Sequence, residues 1–527
     1  MEQIHVGRTL AVLLLGAFIS ILNQTLINIA LPHLMSDFNM SATTAQWLST
    51  AYMLVNGVLI PITAYLIATY RTRTLFLAAM VFFTAGSVVC AISTGFTVML
   101  IGRIMQAVGT GILMPLVMNV FLTIFPPERR GAAMGMMGIA MIFAPAVGPT
   151  LAGWIVQNYS WHILFIMMIP LGIIDIVLAV KWLRNVGQQT FPKFDTWGAV
   201  TSTLGFGGLL YGFSEAGTYG WGSIQVVAFL ILGGIFIGLF VWRELTADEP
   251  LLELRVFKYN IFTLTTIIGS AINLTLFGGM ILLPIYLQNI RGFTPLQAGL
   301  LMLPGALLMG VMSPISGALF DRIGARPLAI IGLIITSITT WEFSRLTSDT
   351  TYSHILLLYT VRSFGMSFMM MTVQTAGLNQ VPLQLGSHAT AMSNTMRQIA
   401  GSIGTALLIT VMTTRTTIHM GDYANMISAA NPQIVSSFQE LAGTLAGAAG
   451  LPAQAGQTLA LQAVYGVAMK ESTIKGINDA FLVATLFALI GLVLSFFIGR
   501  VKRDKVEVLQ KPPAHNEEPI LLEPANT

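Results

Sequence analysis

Gly317-Ala318-Leu319-Phe320-Asp321-Arg322-Ile323-Gly324-Ala325-Arg326 is a charged turn wedged between two long apolar segments. A worn copy, Ala64-Tyr65-Leu66-Ile67-Ala68-Thr69-Tyr70-Arg71-Thr72-Arg73, lies 253 residues earlier (317 − 64) in the same kind of place. A membrane chain that repeats such a turn is expected to contain two related helical halves with a pathway between them, the organisation of a secondary transporter. The residues of the turn suit a gate. Asp321 falls at the end of an apolar span, Arg322 and Arg326 follow it, and Gly317 and Gly324 permit a tight turn. Carboxylate and guanidinium can pair across neighbouring helix ends, hold one side shut and release when the halves rock.

The composition demands a bilayer. Of 527 residues 55% are hydrophobic and only 9% charged, with a mean hydropathy of +0.77, whereas soluble globular proteins carry about 25% charged residues. Thr9 to Ser36 contains no Asp, Glu, Lys or Arg and exceeds the roughly 20 residues needed to cross a membrane. Behind Arg8 it is too long for a secretory signal and lacks a small-residue cleavage site, so it reads as a retained first membrane helix. The net charge of +4 belongs to loops on one side of a membrane, not to a nucleic-acid surface. The single cysteine, Cys90, sits in an apolar run, excludes an intramolecular disulfide and reads as helix packing.

Apolar segments between polar punctuation give fourteen spans: 9–30, 46–68, 74–94, 98–120, 131–154, 162–183, 197–215, 223–242, 261–286, 297–320, 327–346, 353–376, 391–414 and 478–499. With the N-terminus inside, 18 Lys and Arg fall in cytoplasmic segments and 5 outside, while Arg103, Arg362 and Arg397 lie within spans. That bias predicts an even number of crossings and cytoplasmic N- and C-termini. The expected organisation is an N-terminal six-helix bundle (1–184), a linker with two inserted helices (185–260) and a C-terminal six-helix bundle (261–499). Residues 500–527 mix charge with proline and read as a disordered cytoplasmic tail. The segment 415–477, rich in Ala, Gly and Gln, has weak helical periodicity over 433–447 and 456–470. It reads either as an external helical hairpin that caps the pathway or meets a partner, or as a tolerated surface insertion.

The charged turn resembles the motif between the second and third helices of each half in the major facilitator superfamily. Three further stretches are similar to the fourteen-helix drug:proton antiporter family within it. Leu22-Asn23-Gln24-Thr25-Leu26-Ile27-Asn28-Ile29-Ala30-Leu31-Pro32 resembles the first-helix motif, and Ala45-Gln46-Trp47-Leu48-Ser49-Thr50-Ala51-Tyr52 the start of the second helix. Ala144-Pro145-Ala146-Val147-Gly148-Pro149-Thr150-Leu151-Ala152-Gly153 is similar to the antiporter motif of the fifth. The four occur in the order the family implies. Pro145 and Pro149 remove backbone donors, and Gly148 and Gly153 allow close approach, so a bent, tightly packed helix that seals the pathway against proton leak is expected.

Arginine inside a bilayer costs about 2.5–3.5 kcal/mol on insertion scales and therefore faces protein or water. Arg103, in Gly102-Arg103-Ile104-Met105-Gln106-Ala107, is such a residue, and in the resembled family this arginine takes part in proton transfer; Ala107 stands where glycine is usual. Arg362 is its expected counterpart in the second half, and Arg397 is either a pathway residue or a structural tie. Proton coupling needs a reversibly protonated group in a partly dehydrated site. The family pattern has an aspartate in the first helix where this chain has Asn23, and an acid in the first charged turn where it has Ala68. The remaining candidate is Asp175, within the sixth span, for coupling first, then for a structural hydrogen bond or for binding a cationic substrate. Glu215, Glu342 and Asp479 lie near outer helix ends and are expected to be exposed.

Candidate substrate contacts are amides and aromatics on inner helices: Asn23, Gln24, Asn28, Gln46, Trp47, Tyr52, Asn56, Asn119, Asn273 and Gln374. Amides donate or accept and so suit neutral or variably charged ligands. The methionine clusters 134–141 and 366–371 suit either a promiscuous pocket or plain packing. No Gly-x4-Gly-Lys-Ser/Thr phosphate loop, Cys/His metal spacing or nucleophile triad is present, so neither ATP-driven pumping, a cofactor, a metal nor an enzyme is expected. The residues and the resemblance together imply an all-α major facilitator fold. They imply a monomeric, proton-coupled exporter of amphipathic drugs in a bacterial cytoplasmic membrane. Export of a defined metabolite, lipid or signalling molecule is the alternative, and a non-transporting sensor or scaffold using 415–477 a remote one.

Overall fold

A computed structural model describes residues 5–499 apart from 41, 127–128, 187–188, 190, 192–193, 248–249, 383–384, 427–431 and 451. The tail expected over 500–527 lies outside the described residues. All regular structure among the described residues is helical, as hydrocarbon surroundings require, because a helix satisfies its backbone hydrogen bonds internally.

The first half comprises α1 (Val6–Asp37), α2 (Ala42–Thr69), α3 (Thr72–Ala91), α4 (Phe96–Ile124), α5 (Arg130–Asn158) and a broken sixth span, α6 (His162–Ile166) with α7 (Met168–Trp182). The inserted pair α8 (Thr196–Tyr219) and α9 (Ile224–Thr246) follows. The second half comprises α10 (Asn260–Ile285), α11 (Pro295–Ile323), α12 (Ala325–Phe343), a broken span α13 (Tyr352–Ser367) with α14 (Met370–Leu378), α15 (Gly386–Met426), and α17 (Ala453–Ser495). Between the last two lies α16 (Pro432–Ala449).

Packing repeats between the halves. Contacts of α1 with α5 and α7, α2 with α4, and α3 with α4 and α7 recur as α10 with α15 and α17, α11 with α13, and α12 with α13 and α17. The halves meet twice, where α5 lies along α11 and where α2 and α8 lie along α15. Two large apolar clusters form the bundle interiors. The first includes Phe76, Phe83 and Phe121; the second includes Tyr286, Phe343 and Phe481. Met134, Met137, Met366, Met369 and Met371 are buried in this packing.

Ten described helices are long and apolar enough to cross a membrane, or eleven if the two arms of α2, bent by 54°, count as one span. The expected number was fourteen. The shortfall falls on α8, α12 and α15, the first glycine-rich and the other two threonine-rich, so apolarity alone does not establish them as crossings. The segment 415–477 is largely helical: α15 and α17 continue well past their apolar portions, and α16 folds back against α17. Asp479 clamps the root of this extension, accepting hydrogen bonds from Arg415 Nε at 2.5 Å and from His419 Nε2 at 2.9 Å.

Candidate functional site

On α4, Arg103 and Gln106 stand one turn apart on a face turned into the first bundle, and neither is exposed. Arg103 Nη1 donates to Gln106 Oε1 at 2.9 Å and Nε to the Leu48 carbonyl at 3.3 Å. Its guanidinium lies 4.2 Å from the centre of the Tyr52 ring, an attraction worth more where water is absent. Gln106 exchanges hydrogen bonds with Asn23 (3.1 and 3.3 Å) and donates to Ser87 Oγ at 2.8 Å. Tyr52 in turn meets Thr110 Oγ1 at 2.7 Å. Asn23 therefore reaches the buried arginine through an amide, and among the described residues no carboxylate pairs with Arg103.

The second half repeats the arrangement. Arg362 Nη2 donates to the Thr275 carbonyl at 2.7 Å and Nε to Thr340 Oγ1 at 3.3 Å. Thr275 follows Asn23 by 252 residues (275 − 23), Thr340 follows Ser87 by 253 (340 − 87), and Arg362 follows Arg103 by 259 (362 − 103). Each half thus holds one buried arginine: Arg362 bonds the first and third helices of its half directly, whereas Arg103 bonds the second and reaches the first and third through Gln106. Gly279 makes the room, since a Cβ there would overlap the Arg362 guanidinium.

Asp175 on α7 is fully buried, and neither carboxylate oxygen has a hydrogen-bond partner. It faces Gly16 of α1, where an added Cβ would come within 2.8 Å of Oδ2. The Arg103 network does not touch it. A bare carboxylate deep in a bundle is costly unless it is paired or exchanges a proton.

The repeated turn behaves as a clasp. Gly324 has φ +82°, a left-handed value that suits glycine, and reverses the chain between α11 and α12. Asp321 Oδ1 and Oδ2 accept the backbone N–H groups of Gly131 (2.9 Å) and Ala132 (3.0 Å), in the first turn of α5. The expectation was a carboxylate–guanidinium pair; the structure adds this helix N-terminus, a natural anion site, as a partner. Gly131 and Gly317 touch backbone to backbone, and a Cβ on either would overlap the other helix. Arg130 Nη1 also reaches across the halves to Asn379 Oδ1 at 3.0 Å. Arg322 and Arg326 are exposed.

Comparison with known proteins places these features. The description Major Facilitator Superfamily matches residues 13–405. The chain belongs to the major facilitator superfamily. It is 53% identical over 502 residues, 95% of this chain and 94% of the relative, to a Bacillus subtilis protein named as the uncharacterized MFS-type transporter YhcA. It is 40% identical over 496 residues to the lincomycin resistance protein LmrB of Listeria monocytogenes, covering 94% of this chain and 97% of that one. Among solved structures, the human organic anion transporter MFSD10 (TETRAN) matches with a TM-score of 0.60 at 12% identity, over 94% of this chain and 100% of that chain. At that identity the likeness speaks for the fold alone.

In this superfamily member the antiporter stretch lies on α5, which runs as one helix through both prolines. Gly148 packs on Thr25 of α1, and Gly153 faces Leu296 of α11, whose Cα a side-chain Cβ added at Gly153 would approach to 3.5 Å. Pro145 is half-buried. Asn273, Gln374 and Arg397 line one small cavity of about 20 Å3, with Arg397 Nη1 donating to Gln374 Oε1 at 2.6 Å. As captured this space fits a water and not a drug-sized molecule. Trp47 stacks near Tyr211 of α8 at 5.5 Å, while Gln24, Asn56 and Asn119 are half-buried. The side chains of Asn28, Gln46 and Pro149 lie outside the described residues.

Sequence reasoning missed Gln106, Ser87, Thr275 and Thr340. The i, i+3 spacing of Arg103 and Gln106 was the available signal. It also misjudged Glu215, which is buried on α8 because the inserted pair packs against α2 and α15. Glu342 pairs with Arg345 at 3.7 Å, and Asp479 is partly buried beside Arg415 and His419.

Proposed function

We propose that this transporter exports amphipathic drugs of the lincomycin kind across a bacterial cytoplasmic membrane in exchange for protons, by alternating access. The reading rests foremost on one observation: a buried intramembrane carboxylate, Asp175, with no donor to either oxygen. Such a group is suited to take up a proton when charge is unfavourable and to release it when the halves move. The name of the 40% identical relative supports a drug as cargo. The side carrying Arg71, Arg129, Arg322 and Arg326 is the cytoplasmic one, the termini lie there, and the protein works as a monomer without a cofactor. The Asp321 clasp then holds the cytoplasmic side closed, and its release opens that side to substrate.

Asn23 in place of an acid gives a second reading its one support. With one negative group fewer near Arg103, a neutral or endogenous compound is a credible cargo. Everted vesicles separate the two. Collapse of ΔpH on adding lincomycin or a lipophilic cation, absent from vesicles without the protein, supports drug–proton exchange. No response across cationic, neutral and anionic drugs, with the protein present, overturns it in favour of the narrower cargo. Asp175→Asn should abolish ΔpH-driven flux while leaving the protein inserted and folded; normal flux by that variant removes Asp175 from the mechanism.

A further inference from the structure

We propose that protons reach Asp175 through a file of hydroxyls inside the first bundle, formed by Ser87, Thr84 and Ser20, and not through the space between the halves. The proposal rests on the reading of Asp175 as the proton-carrying group.

The file follows from helical spacing. On α1, Gly16, Ser20 and Asn23 stand at i, i+4 and i+7 and so share one face. Gly16 meets Asp175, and Asn23 meets Gln106, so this face joins the carboxylate to the arginine network with Ser20 between them. At 1.5 Å per residue, Ser20 sits about 6 Å along from Gly16 and about 4.5 Å short of Asn23. On α3, Thr84 and Ser87 stand at i and i+3. Thr84 lies against Gly172, one turn from Asp175, where a Cβ would overlap its hydroxyl, and Ser87 accepts the Gln106 amide. Two helices that both pack against α7 thus place a hydroxyl at about the same depth, between the acid and the network.

These two hydroxyls also differ from several buried ones in the same bundle. Thr63, Ser87 and Thr110 each turn back to the carbonyl one turn earlier, the ordinary resting place for a buried hydroxyl in a helix. Ser20 Oγ and Thr84 Oγ1 are buried and make no hydrogen bond, like both oxygens of Asp175. Leaving such groups unpaired costs about 1–3 kcal/mol each. Two such hydroxyls beside an unpaired carboxylate call for a use. Thr9, seven residues before Gly16 on the same face, is also buried without a partner and continues the line toward the cytoplasmic end.

Each hop breaks one O–H bond and makes another. Hydronium from the outer side reprotonates the hydroxyl that has given its proton up, Asp175 becomes a neutral acid, and it returns to carboxylate on releasing the proton inward. Hydroxyl rotation or an admitted water closes the gaps. The second half contains a natural control. Ser337 follows Thr84 by 253 residues (337 − 84) and is likewise buried without a partner, but α17 carries no acid beyond Asp479.

The test uses the full-length protein in everted vesicles with lincomycin as the probe. In the double variant Ser20→Ala, Thr84→Val, ΔpH-driven uptake should fall by roughly tenfold or more, the scale of losing a positioned proton-transfer group. Lincomycin–lincomycin exchange without ΔpH should persist, Ser20→Thr with Thr84→Ser should restore coupling, and Ser337→Ala should change nothing. Undiminished ΔpH-driven uptake in the double variant overturns the proposal, as does equal loss of exchange or equal damage by Ser337→Ala. If Asp175→Asn uncouples transport while the double variant stays normal, the file alone is wrong. If the unsubstituted protein shows no ΔpH response to lincomycin, the reading of function fails and the file falls with it.

Discussion

The two seams between the halves are related by the internal repeat but are built differently. Where α5 meets α11, Gly131 touches Gly317, Ser313 Oγ donates to the Gly135 carbonyl at 2.9 Å, and Asp321 caps the first turn of α5. Where α2 meets α15, the corresponding turn has Ala68, and α8 wedges in, with Leu210 filling the space beside Gly57 and Trp47 against Tyr211. One seam has a charged clasp and bare backbone contact; the other has apolar filling and a third helix. A pseudo-symmetric transporter therefore need not have two equivalent gates. On the alternating-access reading proposed above, opening on the basic side would be governed by the α5–α11 seam, with the α2–α8–α15 seam as the pivot.

The most severe way to break this contrast is steric. Gly317→Val inserts a side chain where the Gly131 carbonyl already lies, so export should fall to background while the same change at Gly207, whose surroundings are open enough for a Cβ at 3.5 Å from Val58, should be mild. Vesicle flux with matched protein levels reads both. Asp321→Asn keeps the shape but removes the charge from two charge-assisted hydrogen bonds. A loss of about 1–2 kcal/mol is expected, which shifts the closed-to-open ratio roughly five- to thirtyfold. Labelling of a single cysteine in the first turn of α5, in a Cys90→Ser background, would register this as faster modification; an unchanged rate would mean the clasp does not set the equilibrium. The smallest effect, and the one that sharpens the comparison, is Ala68→Asp. It restores an acid to the worn turn opposite the start of α15, and a second clasp should slow turnover about two- to fivefold, within the range of a surface helix-terminus charge. A faster transporter would argue that the second seam already limits opening.

Much of this architecture was legible in the chain. The doubled turn announced two halves, and the four motifs announced the superfamily, because both are local strings with fixed chemistry. The partner of Asp321 was not legible, since backbone N–H groups leave no mark in a sequence and those of Gly131 and Ala132 stand 190 and 189 residues away. The same reason hid the tie from Asn23 to Arg103, which passes through Gln106, and the burial of Glu215, which depends on where the inserted pair docks. Hydropathy gives depth along a helix but not the face it turns to its neighbours. The shortfall from fourteen apolar spans has a related cause: α8, α12 and α15 are shielded by other helices over part of their surface, so they tolerate Gly and Thr that a lipid-facing span would not need.

The long helices α15 and α17 have a mechanical consequence. At 41 and 43 residues they are about 60 Å long, twice the roughly 30 Å thickness of a bilayer's hydrocarbon. With α16 packed along α17, the overhang projects from the second half as a pointer. If that half rocks by about 15°, the scale of rigid-body switching in other proteins, the tip sweeps roughly 8 Å. On the alternating-access reading the overhang would act as a displacement gauge, and a spectroscopic label on α16 would report the cycle without touching the pathway.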